Sequence, residues 1–355
     1  MKCKKIGIDK LVLYGFTISY MDIDYLRKLE NVSEKTWKNK RKITISDTCY
    51  FDLLTIQFTK FDNKELLSVY LSLSVHNSDN TNLIPKSYEE YDNYLSCVLD
   101  YISGMYGIEL DDRSVKVAKM EINTNIYLKY DYSEYQRVFK LLMSLFPKTY
   151  NKEFKVDNHQ RGATDTESLY RGNYSIQIVF YNKSQELSDK FENEDDEEEG
   201  DEVFENVLRI EFKILKSDKI RRLFGTNEWH MLNNEKIEGC FLKLCHKNIV
   251  NPFEKWLSQC VKRAKREYKE GTLKNAKQVV LMLECYRNEE CIFHIPRVLD
   301  VEQVLDAVAE IPSLKKNLKR LRANVLNHES QIISNIFCNS DLSKAKEIIE
   351  AINGA

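Results

Sequence analysis

The chain has 355 residues, 43% hydrophobic and 30% charged, with 53 basic against 55 acidic side chains. That composition supports a packed core and excludes a disordered, collagen-like or linker-like chain. No uninterrupted apolar run approaches the ~18 residues of a membrane-spanning helix, so no membrane partner is expected. The nine cysteines are scattered, without a CxxC pair or zinc-module spacing, so they are expected to be reduced and the protein cytoplasmic.

The basic, partly apolar start is interrupted by Asp9 and Lys10 and reads as a strand, not an export signal. Period-2 alternation predicts strands at 8–18, 50–58 and 66–75. Helical spacing follows at 88–106, a strand at 115–128, and a second helix at 131–145 with Ser133 as its expected cap. Strands at 175–181 and 207–214 are separated by a helical turn and the acidic stretch 192–202, expected to be a solvated loop. The expected fold class to residue 225 is α+β, an antiparallel sheet with helices on one face. From 226 to 355 an all-α domain is expected. Its helices lie at 235–269, broken near Asn251-Pro252, and at 274–286, 300–310, 313–325 and 342–352.

Electrostatics permits a nucleic-acid partner. Removing the nine acids of 192–202 leaves 53 basic against 46 acidic residues, and Arg263, Lys265 and Arg266 sit with Lys262 in a basic cluster, followed by another at 315–322. These are candidate DNA contacts, although a solvated helix face has the same composition.

The polar positions of the strands carry the chemistry. Lys119, Glu121, Asn123 and Asn125 share one strand face, as do Arg209, Glu211 and Lys213, Gln177 and Tyr181, and Tyr70, Ser72, Ser74 and His76. If these strands pair, one face is core and the other gathers Glu121, Glu211, His76 and Tyr181. Ordinary cross-strand ion pairs on a wet sheet face give the same alternation. However, two carboxylates and a histidine suit a hard divalent cation, and a tyrosine beside a phosphate polarised by that cation is a nucleophile. Because the free phenol has a pKa near 10, a neighbouring cation is needed, and Lys183, expected two residues further on the same strand face, is a candidate.

The segments IDKLVL (8–13), KME (119–121), YNKSQEL (181–187) and LRIE (208–211) stand in an order that resembles the replication initiators of filamentous phages, the gene II protein family, and related rolling-circle plasmid proteins. The resemblance covers about residues 6–225. It implies a rolling-circle nickase-like fold in which Tyr181 attacks a DNA phosphodiester, with Lys183 and Glu186 completing its motif. Glu121 stands where the family usually has aspartate, and Lys119 where it has arginine. Glu121 and Glu211, with His76 as a third candidate ligand, would hold Mg²⁺ or Mn²⁺. Lys119, Arg209 and Lys213 would contact DNA. The implied protein is a replication initiator of a phage, plasmid or integrated element, acting on supercoiled or single-stranded origin DNA alongside a host helicase and polymerase. The competing expectations are a non-catalytic, sequence-specific DNA-binding regulator and, with only Tyr70 and Tyr181 as platform aromatics, an RNA-binding sheet.

Overall fold

The computed structural model describes residues 5–47, 49–61, 64–74, 84–146, 155–159, 166–186, 206–258 and 339–354. They form two compact units: residues 2–128 with 155–243, and residues 129–154 with 244–354. His76, the acidic stretch 192–202, both basic clusters and the helices expected at 274–286, 300–310 and 313–325 lie outside the described residues.

The first unit is a ten-stranded antiparallel sheet. Its strands are β1 (Ile6–Tyr14), β3 (Val32–Trp37), β4 (Lys40–Ile45), β5 (Leu53–Phe61), β6 (Lys64–Ser74), β8 (Lys116–Tyr127), β9 (Lys155–His159), β10 (Thr166–Gly172), β11 (Ile176–Asn182) and β12 (Val207–Ile214). Their order across the sheet is β3-β4-β5-β6-β1-β8-β12-β11-β10-β9. Two short strands, β2 (Thr17–Met21) and β7 (Ile108–Asp111), pair separately, and a four-residue helix, α1 (Ile23–Leu26), follows β2. The apolar phase is met where it was expected: Leu71, Leu73, Met120, Ile122, Ile210, Phe212 and Ile214 are buried. Burial of such side chains stabilises the sheet by about 1.5–3 kcal/mol each.

Three helices pack on this unit. Helix α2 (Tyr88–Tyr106) begins in a capping box of Ser87 and Glu90 and ends at Gly107 in the left-handed conformation, φ 61°. It buries Tyr91, Leu95, Val98 and Ile102 and contacts β1, where the Tyr91 hydroxyl donates to the Asp9 carbonyl at 2.6 Å. Helix α4 (Ser217–Phe224) lies on β8 and β12, and Phe241 of α5 (Asn234–Cys245) meets Phe212 edge-on at 5.5 Å.

The second unit contains a 3₁₀ turn, Tyr132–Tyr135, running into α3 (Gln136–Ser144), and α6 (Asn339–Asn353). Lys344 pairs with Glu134 at 2.7 Å, and the Tyr135 hydroxyl donates to Glu347 at 2.8 Å.

Several local expectations are corrected. Asp131, not Ser133, caps the helical start, its carboxylate accepting from the Ser133 amide at 2.8 Å; the carboxylate has the reach that a serine one turn inside the helix lacks. Asn251-Pro252 does not break the helix. A π turn at His246–Val250 precedes helical residues 251–258, and its wider ring accommodates the proline that an uninterrupted α-helix would exclude. Residues 226–243 belong with the sheet, because Trp229 is buried and donates to Asp92 of α2 at 2.7 Å. The hairpins β3–β4 and β9–β10 had not been anticipated.

Candidate active site

Register places the polar residues in three rows across β1, β8, β12 and β11. Lys10, Glu121, Lys213 and Gln177 form one row; Gly7, Asn123, Glu211 and Val179 the next; Asn125, Arg209 and Tyr181 the third. Directly opposed residues share a face, so the face inferred from alternation exists. Its centre is not wet: Arg209 and Asn123 are wholly buried and Glu211 is 2% exposed.

Asp9 is the site residue that alternation alone did not assign. On β1, Ile8 pairs with Ile122 and Lys10 with Glu121, so Asp9 is the extra residue of a β-bulge. Bulges re-aim side chains, and this one sends both Asp9 and Lys10 to the polar face. One ligand oxygen each from Asp9, Glu121 and Glu211 lie within 4.8 Å of one another. The detectable signal was the phase of the apolar residues, which falls on 6 and 8 before the bulge and on 11 and 13 after it. Gly7 precedes the bulge where a Cβ would stand 2.4 Å from the Lys86 carbonyl oxygen, and that carbonyl accepts from the Ile8 amide at 2.8 Å.

The electrostatics of the three carboxylates is unbalanced. Burial, with Asp9 adding to it, pushes the Glu211 carboxyl up to about 8. Lys213 lies 3.0 Å from Glu211 and 3.4 Å from Glu121. Burial opposes the charge of Lys213, yet Glu211 and Glu121 hold its pKa above the usual lysine range. Arg209 approaches Asp9 at 3.5 Å while its Nε donates to Asn125 Oδ1 at 2.8 Å. Asp9 Oδ1 and Glu211 Oε1 nevertheless accept no well-formed hydrogen bond, and neither side-chain atom of buried Asn123 has a partner. Buried oxygens of this kind are costly unless satisfied. Three carboxylates and a neighbouring amide oxygen are the hard donors that Mg²⁺ or Mn²⁺ takes, so the residues fit such an ion.

Tyr181 enters from β11. Its hydroxyl donates to Glu211 Oε2 at 3.4 Å. Burial holds the phenol well above its ordinary pKa, opposed by Arg209 across the β11–β12 pair and reinforced by Glu211. Lys183 does not continue the strand as expected. β11 ends at Asn182, whose side chain caps a helical turn at 183–186 by accepting from the Gln185 amide at 3.2 Å. The turn redirects Lys183 into the interior, wholly buried and 2.9 Å from Glu186. Burial and Arg209 lower the Lys183 amine to about 8, against the opposing pull of Glu186.

Of the cations expected on DNA, Lys119 is exposed on the polar face. Arg209 is wholly buried, so its charge acts inside the site on Tyr181 and Asp9 and not on a surface. Lys213, 29% exposed, is held by two carboxylates. A groove of about 330 Å³ adjoins Glu121, lined among others by Lys10, Tyr70, Ser72 and Lys119.

No protein-family model and no curated protein matches the chain. Among solved structures, one similar chain is a rolling circle replication initiator protein from Geobacillus stearothermophilus, 13% identical, with a TM-score of 0.38 over 69% of this chain and 85% of that one.

Proposed function

We propose that the chain is a metal-dependent DNA nicking and joining enzyme of the rolling-circle initiator kind, working through a 5′-phosphotyrosyl link to Tyr181. The observation that carries this reading is the convergence of Asp9, Glu121 and Glu211 within 4.8 Å, with the Tyr181 hydroxyl bonded to one of them. The ordered motifs around Tyr181 and Glu211 support it. Asp9, Glu121 and Glu211 would hold Mg²⁺ or Mn²⁺, which would supply Lewis-acid stabilisation of the phosphate.

The chain's own residues account for the remaining steps. The Tyr181 oxygen forms a bond to phosphorus as the bond from phosphorus to the 3′ oxygen breaks. Its proton passes to Glu211, whose raised pKa suits it as an acceptor. Arg209 favours the phenolate. Lys183, buried beside Glu186 just beyond the strand that carries Tyr181, keeps its charge inside the site; the leaving 3′ oxygen takes a proton from water, and the resulting 3′-hydroxyl primes synthesis. Attack by a 3′-hydroxyl on the phosphotyrosine reverses the sequence and rejoins the strand. A purely DNA-binding regulator has no use for buried carboxylates that oppose one another.

The test is incubation of purified protein with supercoiled DNA carrying the sequence around its own gene, with Mn²⁺ or Mg²⁺, followed by denaturing gels before and after protease. Open circles and a protein–DNA adduct, both lost in Y181F, are expected. DNA that is bound but never cut under either metal would replace the enzyme with the regulator.

A further inference from the structure

The outer hairpins of the sheet, β3–β4 and β5–β6, carry a segregated surface. Their registers run without a bulge, so each residue can be assigned a face. Lys35, Lys42, Gln57 and Ser68 form one row, and Trp37, Lys40, Thr59 and Leu66 the next, with Lys64 beyond. Through Tyr70 opposite Tyr14, and Ser74 opposite Lys10, this is the same face that carries Glu121 and Glu211. Four lysines and no acid lie on it among the described residues of the two hairpins. The opposite face holds Glu34, Arg41, Lys60 and Glu65, and there Glu34 is paired with Arg27 at 3.0 Å and Arg41 at 2.5 Å. Lys35, Lys40 and Lys42 have no ion-pair partner among the described residues.

Edge protection explains only part of this surface. Lysine on an edge strand deters pairing with another chain, which covers Lys35. It does not cover Lys40 and Lys42 on the interior strand β4, nor Trp37, an indole 44% exposed at the edge. Between this surface and the acidic cluster lies the groove of about 330 Å³, with Tyr70 on the side of the hairpins and Lys119 and Glu121 on the other. Tyr70 is 40% exposed and stacks on Tyr14 at 6.0 Å. Unpaired cations interleaved with exposed aromatics form the usual platform for single-stranded nucleic acid, in which lysines track phosphates and rings stack on bases.

We propose that single-stranded DNA leaving the acidic cluster runs through the groove past Lys119 and Tyr70 and onto the outer hairpins, its phosphates on Lys42, Lys35 and Lys40 and a base on Trp37. At the usual strand spacing Lys42 and Glu121 are four strands apart, roughly 19 Å across the sheet, so the track adds contacts well beyond the scissile phosphate. The assignment of the DNA's point of departure rests on the nicking reading above; binding to the hairpins does not.

Fluorescence anisotropy of the full chain with labelled oligo(dT) over a salt series tests it. K35E/K40E/K42E is expected to bind at least about tenfold more weakly at low salt, and its salt slope to be shallower by about 2, since each single-strand phosphate contact contributes about 0.7. K35Q/K40Q/K42Q, with an unchanged melting temperature, should move the same way by a smaller amount. W37A should lose about tenfold, and quenching of the one exposed indole by bound DNA should vanish in W37F. Wild-type affinity and slope in both triple variants would overturn the proposal, as would oligo(U) or anionic vesicles binding more tightly than oligo(dT). A wild-type protein that binds in this way but never nicks would end the nicking reading and leave the hairpin track standing.

Discussion

The Tyr181 hydroxyl donates to Glu211 at 3.4 Å, a long bond to a carboxylate that burial and Asp9 already hold near a pKa of 8. Y181F removes only this one weak bond. We expect its stability to change by less than about 1 kcal/mol, while the DNA adduct falls by at least about a thousandfold. Y174F, at a ring 77% exposed with Lys216 4.2 Å over it, should form the adduct normally on protease-treated gels. Adduct that survives in Y181F and disappears in Y174F would transfer the nucleophile.

The carboxylate cluster predicts a thermal signature separate from catalysis. Mn²⁺ at about 100 times its dissociation constant should stabilise the wild type by about 2.7 kcal/mol, read as a rise in melting temperature. D9N, E121Q and E211Q should each lose most of that rise. In the absence of metal, E211Q should be no less stable than wild type, because it removes a charge that burial and Asp9 disfavour. D9N is the informative variant: a full metal response in D9N would separate Asp9 from the site.

Glu121, Glu211, Arg209 and Tyr181 were legible because alternation on β8 and β12, and on β11 except at Val179, leaves one face to them. Asp9 was obscured because adjacent polar residues, Asp9 and Lys10, look like a strand's breakdown, whereas a bulge turns both to one side. Lys183 was misplaced for the complementary reason: alternation carries a strand onward until something stops it, and here the Asn182 cap does. The β3–β4 hairpin has no Asn-Gly signal at its turn. Its two-residue connection instead holds Lys38 at φ 51°, a conformation that sequence propensity disfavours. Its outer residues are also exposed, so the hydrophobic periodicity that marks other strands is weak there.

The buried amine of Lys183 sets a pH dependence. Its folded pKa, near 8, lies below the unfolded value of 10.5, so between these values the unfolded chain binds more protons and stability rises with pH. Below about pH 8 the full cost of the buried charge is present, on the order of 3 kcal/mol. Denaturant titrations of wild type and K183M from pH 7 to 10.5 should show the wild-type curve climbing relative to the variant. Parallel curves would mean that Lys183 keeps its ordinary affinity for protons.

Gly7 offers a test of how the bulge is held. A methyl group at this position meets the Lys86 carbonyl oxygen at 2.4 Å and backbone atoms of Pro85 and Lys86 at 2.9 Å, so β1 or the 85–86 segment must shift. The same carbonyl receives the Ile8 amide, and Ile8 is the last paired residue before Asp9. G7A should therefore cost about 1–3 kcal/mol in urea denaturation and also weaken the Mn²⁺-induced rise in melting temperature, although residue 7 contributes no ligand. A G7A protein that is destabilised but retains the full metal response would mean that the bulge is held by Tyr91, whose hydroxyl binds the Asp9 carbonyl, and not by the 85–86 segment.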